Sequence, residues 1–157
     1  MIFPLAMTLA ASPLTLRSPA FAGGHAIPAK HTCKGADVSP ALEWTVGPLG
    51  TRSYALIVDD PDAPGGTFVH WVLYNLAAST IRLAEGSREG TAGDNDFGKR
   101  GFGGPCPPPG APHHYRFHLY ALDSPVDLAP GATAEQLRAA LTGHILAEGV
   151  LTGTFQR

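Results

Sequence analysis

The stretch VDDPDAPGGTFVHW, residues 58–71, joins two apolar runs, SYALIV at 53–58 and VHWVLYN at 69–75. Its two prolines fix φ and its two adjacent glycines supply conformational freedom, a composition typical of a tight turn. The two runs therefore predict neighbouring β-strands joined by a short, hairpin-like connection. Such a connection would bring His70 back towards the carboxylates that precede the turn.

Further along the chain, the runs YRFHLYA at 115–121 and VLTGTF at 150–155 predict two more strands, and residues 14–21 predict a first strand. The run at 115–121 alternates with a period of two, as a half-buried strand does. Its apolar face consists of Tyr115, Phe117, Leu119 and Ala121. Short strands separated by turns favour an antiparallel β-sandwich.

One helix is predicted near the carboxyl end. Thr133 and Gln136 form a capping-box pattern at its start. The apolar residues that recur at helical spacing are Leu137, Ala140, Leu141 and Ile145. We expect the helix to end at Gly149, to be weakened or split in two by Gly143, and to cover one end of the sheet.

The composition indicates a single globular domain with many turns. The chain has 157 residues, of which 44% are hydrophobic and 15% charged, with 19 glycines and 15 prolines spread between the apolar runs. We predict one domain at 14–157 after an N-terminal extension at 1–13. A formal net charge of −2 leaves no basic surface for a nucleic-acid partner.

The first sixteen residues are apolar, but Pro4 and Pro13 and the short length argue against a transmembrane segment. The sequence Ala-Phe-Ala at 20–22 fits a signal-peptide cleavage site, yet no Lys or Arg precedes Arg17. Cleavage there would also remove the predicted first strand. An uncleaved, cytoplasmic chain is therefore favoured, with a periplasmic or secreted location as the alternative if the segment is a signal peptide.

Cys33 and Cys106 lack the spacing of a structural zinc site or a redox motif. Both lie beside turn residues, so a disulfide between two loops and a pair of reduced thiols are equally compatible with the sequence. Cys106 belongs to GFGGPCPPPG at 101–110, which precedes HHY at 113–115. This stiff loop is either an anion-binding wall, with glycine N–H groups facing the ligand, or an ordinary surface loop.

Other segments near this loop also have two interpretations. The acidic corner is either an ordinary turn or part of a site, and a single histidine on an apolar strand is often structural. The long loop at 84–104 contains Phe97 and Phe102 and is a candidate lid or dimer surface.

Three motifs occur together and in a particular order: DPDAP at 60–64, HW at 70–71, and GPCPP at 104–108 followed by HHY at 113–115. In this the sequence resembles the phosphatidylethanolamine-binding protein family, in its bacterial Raf-kinase-inhibitor-like (YbhB/YbcL-type) branch, over residues 14–155. The resemblance implies a mainly β fold, a sandwich of two antiparallel sheets with a few short peripheral helices.

The resemblance also implies a small preformed anion pocket. The ligand-binding residues carried over by motif are Asp60, Asp62, His70, Gly104, Pro105, His113 and Tyr115. The expected ligand is a small anionic or phosphorylated group, such as phosphate or a phospholipid headgroup, with no catalytic residue, cofactor or metal. Family members also suggest a homodimer.

In such a pocket, His70 and His113 would donate hydrogen bonds to ligand oxygens, while Asp60 accepts from one imidazole and fixes its tautomer. The carboxylates would either favour charged histidines or bind an amine on a zwitterionic headgroup, and both options stay open. His114 stands where family members often have Arg, which predicts a weaker and more pH-dependent affinity for anions.

Two alternative functions remain. One is an interaction module that inhibits a protein kinase or protease through its surface. The other is a metalloenzyme using His70, His113 and either Asp60 or Asp62 as ligands. No local metal-ligand spacing or nucleophile motif supports catalysis, so the sequence favours a protein that is not an enzyme.

Overall fold

A computed structural model describes residues 13–157 and shows eight β-strands and one α-helix in this part of the chain. The strands are β1 (Leu16–Arg17), β2 (Leu42–Trp44), β3 (Ser53–Asp60), β4 (Phe68–Ala77), β5 (Arg82–Leu83), β6 (Thr91–Ala92), β7 (His113–Leu122) and β8 (Ile145–Phe155). The helix is α1 (Ala134–Leu141), and a single 3₁₀ turn covers Ala29–His31. The predicted strands are all present, and most are longer than their apolar runs.

The strands form two antiparallel sheets. The larger sheet has the order β6-β4-β3-β7-β8, and the smaller has the order β1-β2-β5. Apolar side chains of both sheets form one core cluster, in which Leu42 and Trp44 of the small sheet meet Tyr54 and Leu56 of the large one. The predicted mainly β sandwich is confirmed.

Strand β3 is buried along its whole length because both of its faces are covered. Tyr54, Leu56 and Val58 belong to the core between the sheets. Ala55 and Ile57 belong to a second core cluster on the opposite face, under α1. Side chains alternate along a strand, so consecutive residues at the end of β3 also enter different environments.

The helix begins as predicted but ends earlier. Thr133 and Gln136 form a reciprocal capping box. The expected continuation to Gly149 is wrong, because Gly143 has a φ of +83° and Ile145 already pairs with Leu122 as the first residue of β8. Ten residues of β8 pair with β7, and the hydrogen bonds of this ladder outweigh a coincidental helical spacing. Helix α1 covers a face of the large sheet rather than its end.

Near the amino end, a two-residue β1 lies within the predicted strand at 14–21, and Leu14 is buried. Gly149 of β8 makes this packing feasible, since a Cβ atom there would lie 2.3 Å from the carbonyl oxygen of Leu14. Residues 1–12, which include most of the predicted N-terminal extension and the first part of the candidate signal peptide, lie outside the described residues. Within 13–157, no helix is long and apolar enough to cross a membrane.

Cys33 and Cys106 form a disulfide, with their Cα atoms 5.4 Å apart. The backbone N–H of Cys33 also donates to the carbonyl oxygen of Pro105 at 3.1 Å. Of the two alternatives that the sequence left open, the structure shows the cross-link between loops.

Candidate functional site

A cavity of about 140 Å³ opens where β3 ends and β4 begins, beside the first residues of β7. It is lined by Asp60, Ala63, Pro64, Phe68, His70, Phe97, Cys106, Pro107, Pro108, His113 and Tyr115. Four of the seven residues predicted for the site, Asp60, His70, His113 and Tyr115, come together here. The other three lie behind or beside the cavity.

Asp60 is the buried carboxylate of this site, with only 4% of its side chain exposed. One of its oxygens, Oδ1, accepts from the backbone N–H of Asp62 at 2.8 Å, which closes the turn after β3. The other, Oδ2, accepts from Nδ1 of His113 at 2.7 Å. Asp60 therefore orients His113 from the cavity wall, and both of its oxygens already accept hydrogen bonds from the chain.

His70 owes its position to a β-bulge. Val58 pairs with Trp71 and Asp59 with Val69, so His70 is the extra residue on β4. Bulges redirect side chains, often beside functional sites. Nδ1 of His70 donates to the carbonyl oxygen of Gly103 at 2.8 Å.

The rings around His70 belong to Phe68, Phe97 and Tyr115, whose centroids lie 5.0, 5.4 and 5.2 Å from the imidazole. Burial in this surrounding lowers the pKa of His70, although its hydrogen bond to Gly103 acts in the opposite direction. His70 is therefore held neutral near pH 7.

Tyr115 lines the cavity floor, and 1% of the residue is exposed. Its hydroxyl is buried and has no hydrogen-bond partner among residues 13–157. Burial, together with the charges of Asp60 and Asp62, raises the pKa of this hydroxyl far above its usual value. The group stays protonated and is left as an unused donor on a residue that lines the cavity.

The proline-rich loop supplies one wall through Cys106, Pro107 and Pro108. Gly104 and Pro105 lie behind this wall. The N–H of Gly104 donates to Oδ1 of Asp37 at 2.8 Å, and a Cβ atom on Gly104 would lie 2.3 Å from the carbonyl oxygen of His31. This glycine permits close backbone packing, so its N–H does not face the cavity as the sequence suggested.

Asp62 is turned away from the cavity towards His114. Oδ2 of Asp62 accepts from the backbone N–H of His114 at 2.8 Å and from its Nδ1 at 2.7 Å. These hydrogen bonds lower the pKa of Asp62. Both side chains are about half exposed, so the pair forms part of the surface next to the cavity.

Sequence reasoning did not single out the apolar rim of the cavity. Phe97 is 42% exposed at this rim, and Phe68 packs edge-on against it. Asn95 fixes the segment, because its Oδ1 accepts from the N–H of Phe97 at 2.9 Å and from that of Lys99 at 3.2 Å. The only signal in the sequence was the aromatic content of the long loop at 84–104.

Asp59 lies on the opposite face of the sheet from Asp60 and is 2% exposed. It accepts from Nε of Arg116 at 2.9 Å, Nε2 of His118 at 3.2 Å and a guanidinium nitrogen of Arg138 at 3.1 Å. Burial alone would raise the pKa of Asp59, but the hydrogen bonds from His118 and Arg116 lower it. This cluster ties α1 to β3 and β7 and takes no part in the cavity.

Comparison with known proteins agrees with this arrangement. A family model described as phosphatidylethanolamine-binding protein matches residues 17–156. The chain belongs to the phosphatidylethanolamine-binding protein family. LppC of Mycobacterium tuberculosis is 45% identical over 150 residues, which cover 94% of this chain and 74% of LppC.

Two solved structures of the phosphatidylethanolamine-binding protein family are similar. The homologue CT736 of Chlamydia trachomatis is 40% identical, with a TM-score of 0.88, over 92% of this chain and 98% of CT736. YbcL of Escherichia coli is 30% identical, with a TM-score of 0.86, over 93% of this chain and 99% of YbcL. The predicted resemblance to the YbcL-type bacterial branch is confirmed.

The metal-centre alternative requires His70, His113 and either Asp60 or Asp62 to be free to bind one ion. Within residues 13–157, no group of three or more His, Cys, Asp or Glu side chains is arranged to hold a metal ion. Nδ1 of His113 and both oxygens of Asp60 are engaged by the chain itself. Asp60 is hydrogen-bonded to His113 and to the backbone of Asp62, whereas Nδ1 of His70 donates to the carbonyl oxygen of Gly103.

Proposed function

We propose that this phosphatidylethanolamine-binding protein family member is a non-enzymatic binding protein whose cavity takes up a small anionic or phosphorylated group. The observation that carries the proposal is the buried hydroxyl of Tyr115, which has no partner in the described part of the chain, on a residue that lines a cavity with two anchored imidazoles. An unsatisfied buried donor costs about 1–3 kcal/mol. A ligand oxygen at this position would satisfy it.

The size of the cavity supports a small group. Sites for drug-sized ligands usually have volumes of about 300–1,000 Å³, and this cavity has about 140 Å³. A phosphate-sized head would fill it, and the remainder of a larger ligand would lie against the exposed rim of Phe97 and Pro108. The rim is apolar, which suits a charged head with a less polar continuation.

The cavity-lining side chains favour binding over covalent catalysis. Cys106 is held in the disulfide, and the raised pKa of Tyr115 makes its hydroxyl a poor nucleophile. Asp60 has both oxygens occupied, so it orients His113 rather than acting on a substrate. The groups that remain are suited to holding a ligand by hydrogen bonds.

The experiment is a titration of ¹⁵N-labelled protein with phosphate and with phosphoethanolamine, followed through the imidazole signals by NMR. We expect saturable shifts at His70 and His113 in the wild type and their loss in His70→Ala. His144, whose Nδ1 is held by Asp123 at 2.8 Å outside the cavity, provides the matched control, and His144→Ala should bind as the wild type does. No shift at His70 or His113 at millimolar ligand would contradict the proposal.

The disulfide also bears on where the protein works. Disulfides persist mainly in oxidising compartments, and both Cys33 and Cys106 are exposed residues. We infer a periplasmic or secreted location, in place of the cytoplasmic one favoured by the N-terminal residues. Fractionation of cells that produce the natural full-length protein tests this, and recovery in the cytoplasm with two free thiols would contradict it.

A further inference from the structure

The two cavity histidines are anchored through the same ring nitrogen. Nδ1 lies 2.8 Å from the carbonyl oxygen of Gly103 in His70, and 2.7 Å from the carboxylate of Asp60 in His113. A carbonyl oxygen and an ionised carboxylate can only accept hydrogen bonds, so Nδ1 carries the proton in both rings. The nitrogen left for a ligand is Nε2 in each case.

In a neutral imidazole with its proton on Nδ1, Nε2 is an acceptor. His70 is held in this form, since burial lowers its pKa. The charged groups that face it are the carboxylates of Asp60 and Asp37, and their attraction for a proton does not outweigh burial. Near neutral pH, the residues that line the cavity therefore include an acceptor at His70 and a donor at Tyr115.

If the proposed function holds, we propose that this cavity selects oxyanions that carry an exchangeable proton, namely hydrogen phosphate and phosphomonoesters, over sulfate and phosphodiesters. The P–O–H group of the ligand donates to Nε2 of His70, and an unprotonated ligand oxygen accepts from the hydroxyl of Tyr115. Sulfate would place an anionic oxygen against the lone pair of Nε2 and leave that nitrogen unpaired.

Ligand chemistry separates the two classes near neutral pH. The second pKa of a phosphomonoester is about 6, so a proton can be retained on binding at small cost. A phosphodiester and a sulfate have no proton that titrates in this range. Free phosphate and a soluble phosphomonoester share the required chemistry, whereas the headgroup of an intact phospholipid is a diester.

The test is a set of calorimetric titrations near neutral pH with phosphate, sulfate, phosphocholine and glycerophosphocholine. Phosphocholine and glycerophosphocholine share a quaternary ammonium group without N–H donors and differ in being a monoester and a diester. We expect phosphate to bind more tightly than sulfate, and phosphocholine more tightly than glycerophosphocholine, by roughly tenfold or more. Comparing phosphate with phosphocholine then distinguishes the two sources of the ligand.

The outcomes separate this inference from the proposed function. Equal binding of sulfate and phosphate, or tighter binding of the diester, would overturn the selectivity and leave an anion-binding cavity in place. If none of the four compounds binds, both proposals fall.

A variant tests the placement of the ring protons directly. In Asp60→Asn, the amide oxygen can still accept from the N–H of Asp62 while the amide nitrogen donates to Nδ1 of His113, which moves the ring proton to Nε2. The cavity then contains a donor for sulfate, so the preference for phosphate should shrink. Asp123 holds His144 outside the cavity through its carboxylate. In the matched control Asp123→Asn, the preference for phosphate over sulfate should therefore not change.

Ring ¹⁵N shifts report the tautomer and keep the test decisive if Asp60→Asn folds poorly. We expect both His70 and His113 of the wild type to carry the proton on Nδ1, and His70 to remain neutral in the phosphate complex. A proton on Nε2 of His70 in the phosphate-free protein near neutral pH would overturn the inference.

Discussion

At the scale of single residues, the buried hydroxyl of Tyr115 has no hydrogen-bond partner within residues 13–157. Replacing Tyr115 by Phe removes this group with little change of shape. Because no hydrogen bond within residues 13–157 is lost, we expect Tyr115→Phe to lower the free energy of unfolding by less than about 1 kcal/mol, and to weaken phosphate binding severalfold. Urea denaturation and calorimetry of the same samples measure the two effects.

Tyr74 supplies the control for this prediction. Its buried hydroxyl donates to the carbonyl oxygen of Ala129 and accepts from the N–H of Ala132. Tyr74→Phe should therefore lower the free energy of unfolding by about 1 kcal/mol. Equal destabilisation by both substitutions would show that Tyr115 has a partner in the ligand-free protein.

Asp59 is the second residue for which the structure makes a specific prediction. Asp59→Asn leaves the positive charges of Arg116 and Arg138 without their buried counter-ion. Removing one partner of a fully buried pair costs about 3–5 kcal/mol, but these guanidinium groups are partly exposed and can be hydrated. We therefore expect a loss of about 1–3 kcal/mol in the free energy of unfolding, measured by urea denaturation.

The exposed pair of Asp123 and His144 gives the comparison, since their side chains are 43% and 48% exposed. Asp123→Asn should change the free energy of unfolding by less than about 1 kcal/mol. The lowered pKa of Asp59 also means that its contribution is present above its ordinary pKa of 3.8 and is lost as the pH falls through the folded-state value. A loss of stability that begins near neutral pH must come from groups other than Asp59.

His70 affects the pH dependence of stability differently, because burial lowers the pKa of a group that is charged when protonated. As the pH falls below 6.5, the unfolded chain takes up a proton that the folded chain resists, so stability declines until the folded-state pKa is reached. In ligand-free protein, the wild type should lose more stability than His70→Gln between about pH 7.5 and 5.5. Parallel profiles of the two proteins in urea denaturation would contradict a neutral, buried His70.

At the scale of elements, the wall of the cavity depends on a cross-link. The disulfide joins residues 73 positions apart, and Cys106 itself lines the cavity. Closing so long a loop restricts the unfolded chain, and such disulfides typically contribute about 2–4 kcal/mol. We expect the double variant Cys33→Ser with Cys106→Ser to lose stability in this range and to bind phosphate more weakly, as measured by denaturation and calorimetry.

Two hydrogen bonds that do not depend on the disulfide also hold this wall. The N–H of Gly104 donates to Asp37, and the N–H of Cys33 donates to the carbonyl oxygen of Pro105. The variant should therefore still fold, with its cavity less fixed. Thiol titration of the denatured wild type should find no free thiol without reductant. Unchanged affinity in the double variant would show that these backbone contacts suffice to position the wall.

The strands and the helix also show which structural features the sequence could predict. Period-two alternation predicted β7, and the capping box predicted the first residue of α1, because both depend on local chemistry. The end of α1 was mispredicted since Ile145 fits a helical spacing, while its pairing with Leu122 is a contact that no local pattern reveals. Likewise, the bulge that places His70 in the cavity is a property of two paired strands.

At the scale of the whole molecule, several short strands separated by turns predicted the β-sandwich, and the order of three motifs predicted the cavity. Those motifs did not separate residues that line it from residues behind it. Gly104 and Asp62 stand in the motifs, yet one packs against Asp37 and the other holds His114. Phe97 reaches the rim from a distant loop, so only the tertiary structure could identify it.

The alternation at the end of β3 also bears on how the gene tolerates change. Asp59 and Asp60 are adjacent codons, but one side chain secures the helix and the other orients a cavity histidine. In a mutational library sorted separately for cellular abundance and for ligand capture, substitutions at 59 should deplete the first pool, whereas conservative ones at 60 should remain abundant and fail the second. Neighbouring codons would thus evolve under different constraints.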